Sequence, residues 1–175
     1  KICTVLLKRG LSVKWYILGY GDRETQIREA IQAVHMEDFV VLLGKKENPY
    51  PYIRMCDIYV QPSVYEGKCV AVREAQLLGK PVIITDFSTA HSQLRDGTDG
   101  IIAPLDFDGF TDALAALIQD NEKQEALKAA CRSTDFTQYK EAEKILRFAE
   151  GRESYAEDQR HCADLQRRKI SRTVR

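Results

Sequence analysis

Two glutamates, Glu66 and Glu74, stand with seven residues between them in the stretch Ser63-Val64-Tyr65-Glu66-Gly67-Lys68-Cys69-Val70-Ala71-Val72-Arg73-Glu74-Ala75. That stretch follows a short apolar run and enters residues with helical spacing, so Gly67, Lys68, Cys69 and Val70 fall where a helix begins. The first N–H groups of a helix lack partners within it, and together with the helix dipole they favour an anion. Gly67 has no side chain to obstruct close approach, and Lys68 adds a positive charge. Glu66 precedes the turn and Glu74 lies about two helical turns further on, so both carboxylates can project into one cleft. Carboxylates in such a place accept hydrogen bonds from hydroxyls, which a sugar or a ribose offers. On residue chemistry alone a plainer alternative stays open: a glutamate at a helix start and a second, ion-paired one on the surface.

Other motifs say less. Gly19-Tyr20-Gly21, between a strand-like and a helix-like stretch, is a context in which backbone can approach a phosphate. The third glycine of the dinucleotide pattern is missing, with Glu24 in its place, and Leu43-Gly44-Lys45 ends the second strand where an acid would hold a ribose. A nicotinamide dehydrogenase is therefore disfavoured, and a tight turn explains the glycines equally well. Asp106-Phe107-Asp108 matches a short pattern that holds divalent metals in other sugar-transferring folds. It directly precedes an Ala- and Leu-rich helical stretch, where Asp is the expected N-cap. His35, His91 and His161 are scattered, so surface or helix-cap roles are expected. The five cysteines are odd in number and lack Cys-x-x-Cys spacing, which points to reduced thiols and not to a disulfide framework or zinc site. No metal or protein-held cofactor is expected.

Elements that could position these residues alternate along the chain. Apolar strand-like runs at 13–18, 39–43, 58–61, 81–85 and 100–103 are separated by helical-period stretches at 23–34, 49–55 and 68–78. Two further helices are expected from Asp106 or Asp108 to about 119 and at 122–131, and the first ten residues read as the back end of a helix. Strands apolar on both faces, each followed by a helix, describe a parallel sheet covered on both sides. Right-handed crossovers then give a doubly wound, Rossmann-like α/β domain. Ligands of such sheets bind beyond the carboxyl ends of the strands, which directs attention to loops 19–22, 44–50, 62–68 and 85–93.

The 175 residues suit one ordinary domain, here 1–135, with a helical tail over 136–175. A hydrophobic share of 44% with 30% charged residues supports a real core. Lys and Arg total 26 against 26 Asp and Glu, a balance that argues against a surface built to coat nucleic acid. No apolar run approaches the roughly 18 residues of a membrane span. Residues 151–175 hold seven basic and four acidic side chains, a bias that suits either a solvated helix or peripheral contact with an anionic membrane. With no initial Met and no leader-like start, the chain reads as a piece of a longer protein.

The glutamate pair resembles the paired-glutamate motif of the retaining glycosyltransferases of family 4, the group-1 glycosyltransferases, whose two Rossmann-like domains form the GT-B arrangement. The likeness extends to LGYGD (18–22), the strand ending in Gly44, CDIYVQPSVYEG (56–67), EAQLLGKPVIITD (74–86) and LRDGTDGIIAPLD (94–106), in that family's order. It covers roughly residues 1–130 and looks like the family's C-terminal, donor-binding half. The wording around IYVQPS and VREAQ is most like bacterial enzymes of capsule and surface-polysaccharide synthesis.

The resemblance implies that Glu66 is the catalytic-site carboxylate on the donor sugar's hydroxyls and that Glu74 holds the ribose hydroxyls. It implies that the amides around Gly67, Lys68, Cys69 and Val70 meet the diphosphate or sugar. Gly44 and Lys45 would border the nucleobase, with Gly19 and Gly21 lining the donor loop. Lys68-Cys69 stand where the family often has a bulky and then a small residue, so the backbone contacts carry over more surely than the side-chain ones. The family's cations near the first strand, and its acceptor-binding domain, would lie before Lys1. By this likeness the full protein moves a sugar from a nucleotide diphosphate to a saccharide or lipid-linked saccharide acceptor, in the cytoplasm or at the inner membrane face. The piece alone would bind donor weakly and transfer nothing, and a missing first strand would leave an open place in the sheet. A nucleotide-sugar epimerase of the same architecture and a non-catalytic nucleotide-binding module are the rival readings.

Overall fold

The computed structural model describes residues 1–134 together with 147, 149 and 150. The remainder of the expected helical tail, with Cys162 and His161, lies outside the described residues. Compact packing divides the chain into two units, Lys1–Glu47 and the part from Asn48 onward.

The first unit contains α1 (Ile2–Lys8), β1 (Trp15–Leu18), α2 (Glu24–Gln32) and β2 (Val40–Gly44). The strands pair in parallel, Trp15 opposite Val40 and Ile17 opposite Leu42, with a register shift before Leu18. Cys3, Leu6 and Met36 are its buried apolar residues. The chain leaves α2 through His35, whose φ of 52° is left-handed. The N–H of Met36 donates to the Ile31 carbonyl at 3.1 Å and that of His35 to the Gln32 carbonyl at 3.0 Å, the Schellman pattern of a helix C-terminus. The helix-cap role expected for a scattered histidine is thus found at His35.

The second unit runs α3 (Tyr50–Met55), β3 (Tyr59–Gln61), α4 (Val70–Leu77), β4 (Val82–Thr85), α5 (Ala90–Gln93), β5 (Ile101–Ala103), α6 (Phe107–Gln119) and α7 (Asn121–Ser133). Its three strands are parallel in the order β3-β4-β5. The middle strand is buried along its whole length, which is why Val82, Ile83 and Ile84 carry no polar alternation. Ile53, Val72, Ala75, Val82, Ile84, Phe87, Ala90 and Leu94 form a core that joins α3, α4 and α5 to the sheet. Gly79, at φ 67°, ends α4: its N–H meets the Gln76 carbonyl at 2.9 Å and the Lys80 N–H meets that of Ala75 at 3.0 Å. Only a residue at ease with positive φ suits this exit, so the glycine terminates the helix where the sequence suggests it.

Asp106 caps α6, its carboxylate accepting from the Gly109 N–H at 2.8 Å, and Asp120 caps α7 through the Lys123 N–H at 2.8 Å. Two expectations need correction. The helix expected at 68–78 begins only at Val70, so Gly67 and Lys68 belong to the preceding turn. Helix α5, a single turn after β4, was not expected at all.

Candidate functional site

Strand β3 delivers the glutamate loop. Tyr59 and Gln61 are two residues apart and so share one face of the strand. The Tyr59 hydroxyl donates to Gln61 Oε1 at 2.9 Å, which orients the amide so that its Nε2 faces the loop. That Nε2 reaches Ser63 Oγ at 2.9 Å and Glu66 Oε1 at 3.0 Å, while Ser63 Oγ donates to the same Glu66 oxygen at 2.8 Å. One carboxylate oxygen of Glu66 is therefore held by two donors. The other, Oε2, has no protein donor among the described residues and remains able to accept from a ligand.

Glu74 sits on the second turn of α4, half-buried, with Oε1 accepting from the Tyr50 hydroxyl at 3.2 Å. Burial raises its pKa above the ordinary carboxylate value, and the Tyr50 hydrogen bond opposes part of that rise. Tyr59 is pushed far above the usual phenol range, chiefly by burial and then by Cys69, Glu74, Cys56 and Glu66. Cys69 is raised too, first by burial, with the amide of Val72 opposing and Glu66 and Glu74 adding to the rise. Tyr59 and Cys69 thus both lie within electrostatic reach of Glu66 and of Glu74.

Between them lies the start of α4. Cys69 is its N-cap, and the amides of Val72 and Ala71 face its sulfur without closing a cap hydrogen bond. The N–H groups of Gly67, Lys68, Cys69 and Val70 meet no acceptor among the described residues. A Cβ added at Gly67 meets open space, so an incoming group can reach this backbone. Lys68 is exposed, and Val64, Tyr65 and Val70 form an exposed apolar rim. Carboxylates with open acceptor positions beside unpaired amides and a lysine can accept from hydroxyls and donate to an anion.

Gly19, Gly21, Gly44 and Lys45 belong to the first unit. The Gly19 N–H donates to the Gly44 carbonyl at 3.0 Å, closing the ends of β1 and β2 on each other. The Gly21 carbonyl accepts from Glu24 N–H at 3.0 Å, so this glycine forms the tight turn into α2. Lys45 Nζ lies 4.9 Å from the centre of the exposed Tyr20 ring. Asp106 serves as a cap, and among the described residues no cluster of three or more His, Cys, Asp or Glu could hold a metal ion. No helix among them is long and apolar enough to cross a membrane.

The family model of the glycosyl transferases group 1 matches residues 2–134, through both units. The chain belongs to this family. It is 34% identical to the amylovoran biosynthesis glycosyltransferase AmsK of Erwinia amylovora over 124 residues, 66% of this chain and 30% of that protein. It is 27% identical to the N-acetylgalactosamine-N,N'-diacetylbacillosaminyl-diphospho-undecaprenol 4-alpha-N-acetylgalactosaminyltransferase of Campylobacter jejuni over 79% of this chain and 39% of that one. The chain therefore spans about a third of the length of these relatives. Among solved structures, TarM superposes with a TM-score of 0.71 at 22% identity, over 83% of this chain and 30% of TarM. HepE of Anabaena does so at 0.66 and 18%, over 85% and 42%. The α/β, Rossmann-like fold expected of a GT-B half is the fold these structures share with the chain.

Tyr50, which bonds Glu74, and Tyr59 and Gln61, which together hold Glu66, are residues that the motif reading missed. The alternation Tyr59-Val60-Gln61 at a strand's carboxyl end is a signal that could have found two of them.

Proposed function

We propose that residues 1–135 of this chain bind the donor of a retaining glycosyltransferase. The protein moves a sugar from a nucleotide diphosphate to a hydroxyl of a saccharide or lipid-linked saccharide, in surface-polysaccharide synthesis. The observation that carries the reading is the pairing of Glu66 and Glu74 around the unpaired amides of Gly67, Lys68, Cys69 and Val70. Glu74 accepts from the ribose hydroxyls, and the free oxygen of Glu66 accepts from the donor sugar. The amides and Lys68 face the diphosphate, where negative charge grows as the nucleotide departs; fixed dipoles aimed at such charge lower a barrier by several kcal/mol.

In this reading the donor needs no metal ligated by the protein, and the cap role of Asp106 is compatible with that. Structures of HepE have been solved with UDP and with UDP-glucose, and that of the pneumococcal transferase GtfA with UDP and GlcNAc, which supports a nucleotide-sugar donor here. Among the described residues Cys3, Cys56, Cys69 and Cys131 are not joined in disulfides, which supports a cytoplasmic setting. Contact of the basic 151–175 segment with an anionic membrane face completes the reading.

A thermal-shift and calorimetric panel of UDP-, GDP-, ADP- and dTDP-sugars on the intact protein tests it. One nucleotide class is expected to bind, and binding is expected to weaken when Glu74 is replaced. Absence of binding across the panel refutes the assignment.

A further inference from the structure

Four backbone carbonyls of the glutamate loop are held from one neighbouring segment. Thr85, buried at the end of β4, turns its hydroxyl to the carbonyls of Gln61, at 3.5 Å, and Ser63. Thr89 turns its hydroxyl to those of Glu66, at 2.9 Å, and Gly67, at 2.6 Å. Gln93 donates its Nε2 to the Gly67 carbonyl at 3.3 Å. These three donors recur every fourth residue along the β4–α5 segment, Thr85 on residues 61 and 63, Thr89 on 66 and 67, and Gln93 again on 67. Arg73 Nη2 donates to the Gln93 carbonyl at 2.9 Å, tying α4 to the end of α5.

Two details speak against a purely structural role. Thr89 is the N-cap of α5, a position where a threonine hydroxyl ordinarily accepts from its own helix, yet it makes no cap hydrogen bond. Gln93 is 5% exposed, and its Oε1 is buried without a partner among the described residues, an arrangement that stability alone disfavours. Thr89 is committed instead to the carbonyls of Glu66 and Gly67, and Gln93 to that of Gly67.

The consequence for the site is geometric. The peptide bonds are trans, and in a trans peptide the C=O of one residue points opposite to the N–H of the next. With the carbonyls of Glu66 and Gly67 turned to α5, the N–H groups of Gly67 and Lys68 must face away from it. Gly67, lacking a Cβ, does not itself fix these planes. We propose that Thr89 and Gln93, with Thr85 at their base, are positioning residues that aim the Gly67 and Lys68 amides at the bound anion. The functional half of this inference rests on the donor-site reading above, while the geometric half stands without it.

The test uses the intact protein with UDP as the probe, in Thr89→Val, which keeps shape but loses the hydroxyl, and Thr89→Ser, which keeps the hydroxyl. Without ligand, backbone order parameters at Gly67 and Lys68 are expected to fall from about 0.85 to below about 0.6 in Thr89→Val and to recover in Thr89→Ser. UDP affinity is expected to weaken about tenfold in Thr89→Val and to return to within about twofold in Thr89→Ser, with the melting temperature little changed. Order parameters that stay high in Thr89→Val overturn the proposal, as does equal UDP affinity in a wild type and a Thr89→Val protein that both bind. If the wild type binds no UDP, the uridine form of the donor reading fails and the order parameters alone decide this inference. Should Thr89→Val not fold, Gln93→Met, similar in length but without the amide, takes its place in the same measurements. Rigid Gly67 and Lys68 amides, or unweakened UDP binding, would overturn the proposal in that variant too.

Discussion

Glu74 offers the sharpest separation of stability from binding. Its carboxylate has about four acceptor positions, of which the Tyr50 hydroxyl occupies one at 3.2 Å, leaving the others for a ribose diol. A hydrogen bond to a charged acceptor is worth about 1.5–3 kcal/mol, so Glu74→Ala is expected to weaken nucleotide binding about 10- to 150-fold. Glu74→Gln keeps one acceptor oxygen and is expected to fall between.

Stability should move the other way. Because burial raises the folded-state pKa, the unfolded chain loses this proton first as pH rises. The contribution of Glu74 is fully present below its unfolded pKa and is lost as pH climbs through the raised folded value. At pH 7 the wild type therefore carries a cost that Glu74→Gln removes. The Gln variant is expected to be as stable as the wild type or more so at pH 7, with no such advantage near pH 3.5. By the same shift, nucleotide affinity in the wild type should decline on acidification at a higher pH than an ordinary carboxylate would dictate. Calorimetric titration together with urea denaturation at the two pH values measures both arms. Nucleotide affinity unchanged in Glu74→Ala, or a Gln variant markedly less stable at pH 7, would refute the reasoning.

Glu66→Gln should lower turnover of the intact protein at least about tenfold while changing nucleotide affinity less than twofold, because this side chain is assigned to the sugar; steady-state kinetics beside calorimetry read the split. Asp106→Ala loses the cap on Gly109 and should cost about 1 kcal/mol in urea denaturation, with nucleotide affinity indifferent to EDTA; a chelator-induced loss restored by manganese moves the chemistry to the aspartates. His35→Gly relieves a left-handed non-glycine residue and should stabilise by about 0.5–1 kcal/mol without altering binding; a lower melting temperature contradicts the capping account.

What could be read from residues alone depended on how each feature is encoded. The buried strand β4 and the helix terminator Gly79 announce themselves through side-chain type, since four consecutive β-branched residues and a left-handed glycine have few other uses. Glu66 and Glu74 were legible because their chemistry lies in their own carboxylates and their spacing in one loop and helix. Helix α5 was not, since four residues give too short a window for any period to register.

The start of α4 was misplaced by two residues because Lys68 and Cys69 suit a first turn about as well as a cap. The carbonyl grip of Thr85, Thr89 and Gln93 was hidden for a deeper reason. Its partners are backbone oxygens, which every residue possesses, so neither the identity of the loop residues nor that of the donors marks the pairing. Only the parallel order of β3 beside β4 brings residues 61–67 alongside 85–93. A site whose ligand contacts are side chains can be found by motif; one whose ligand contacts are amides depends on whatever holds the opposite face of the same peptides.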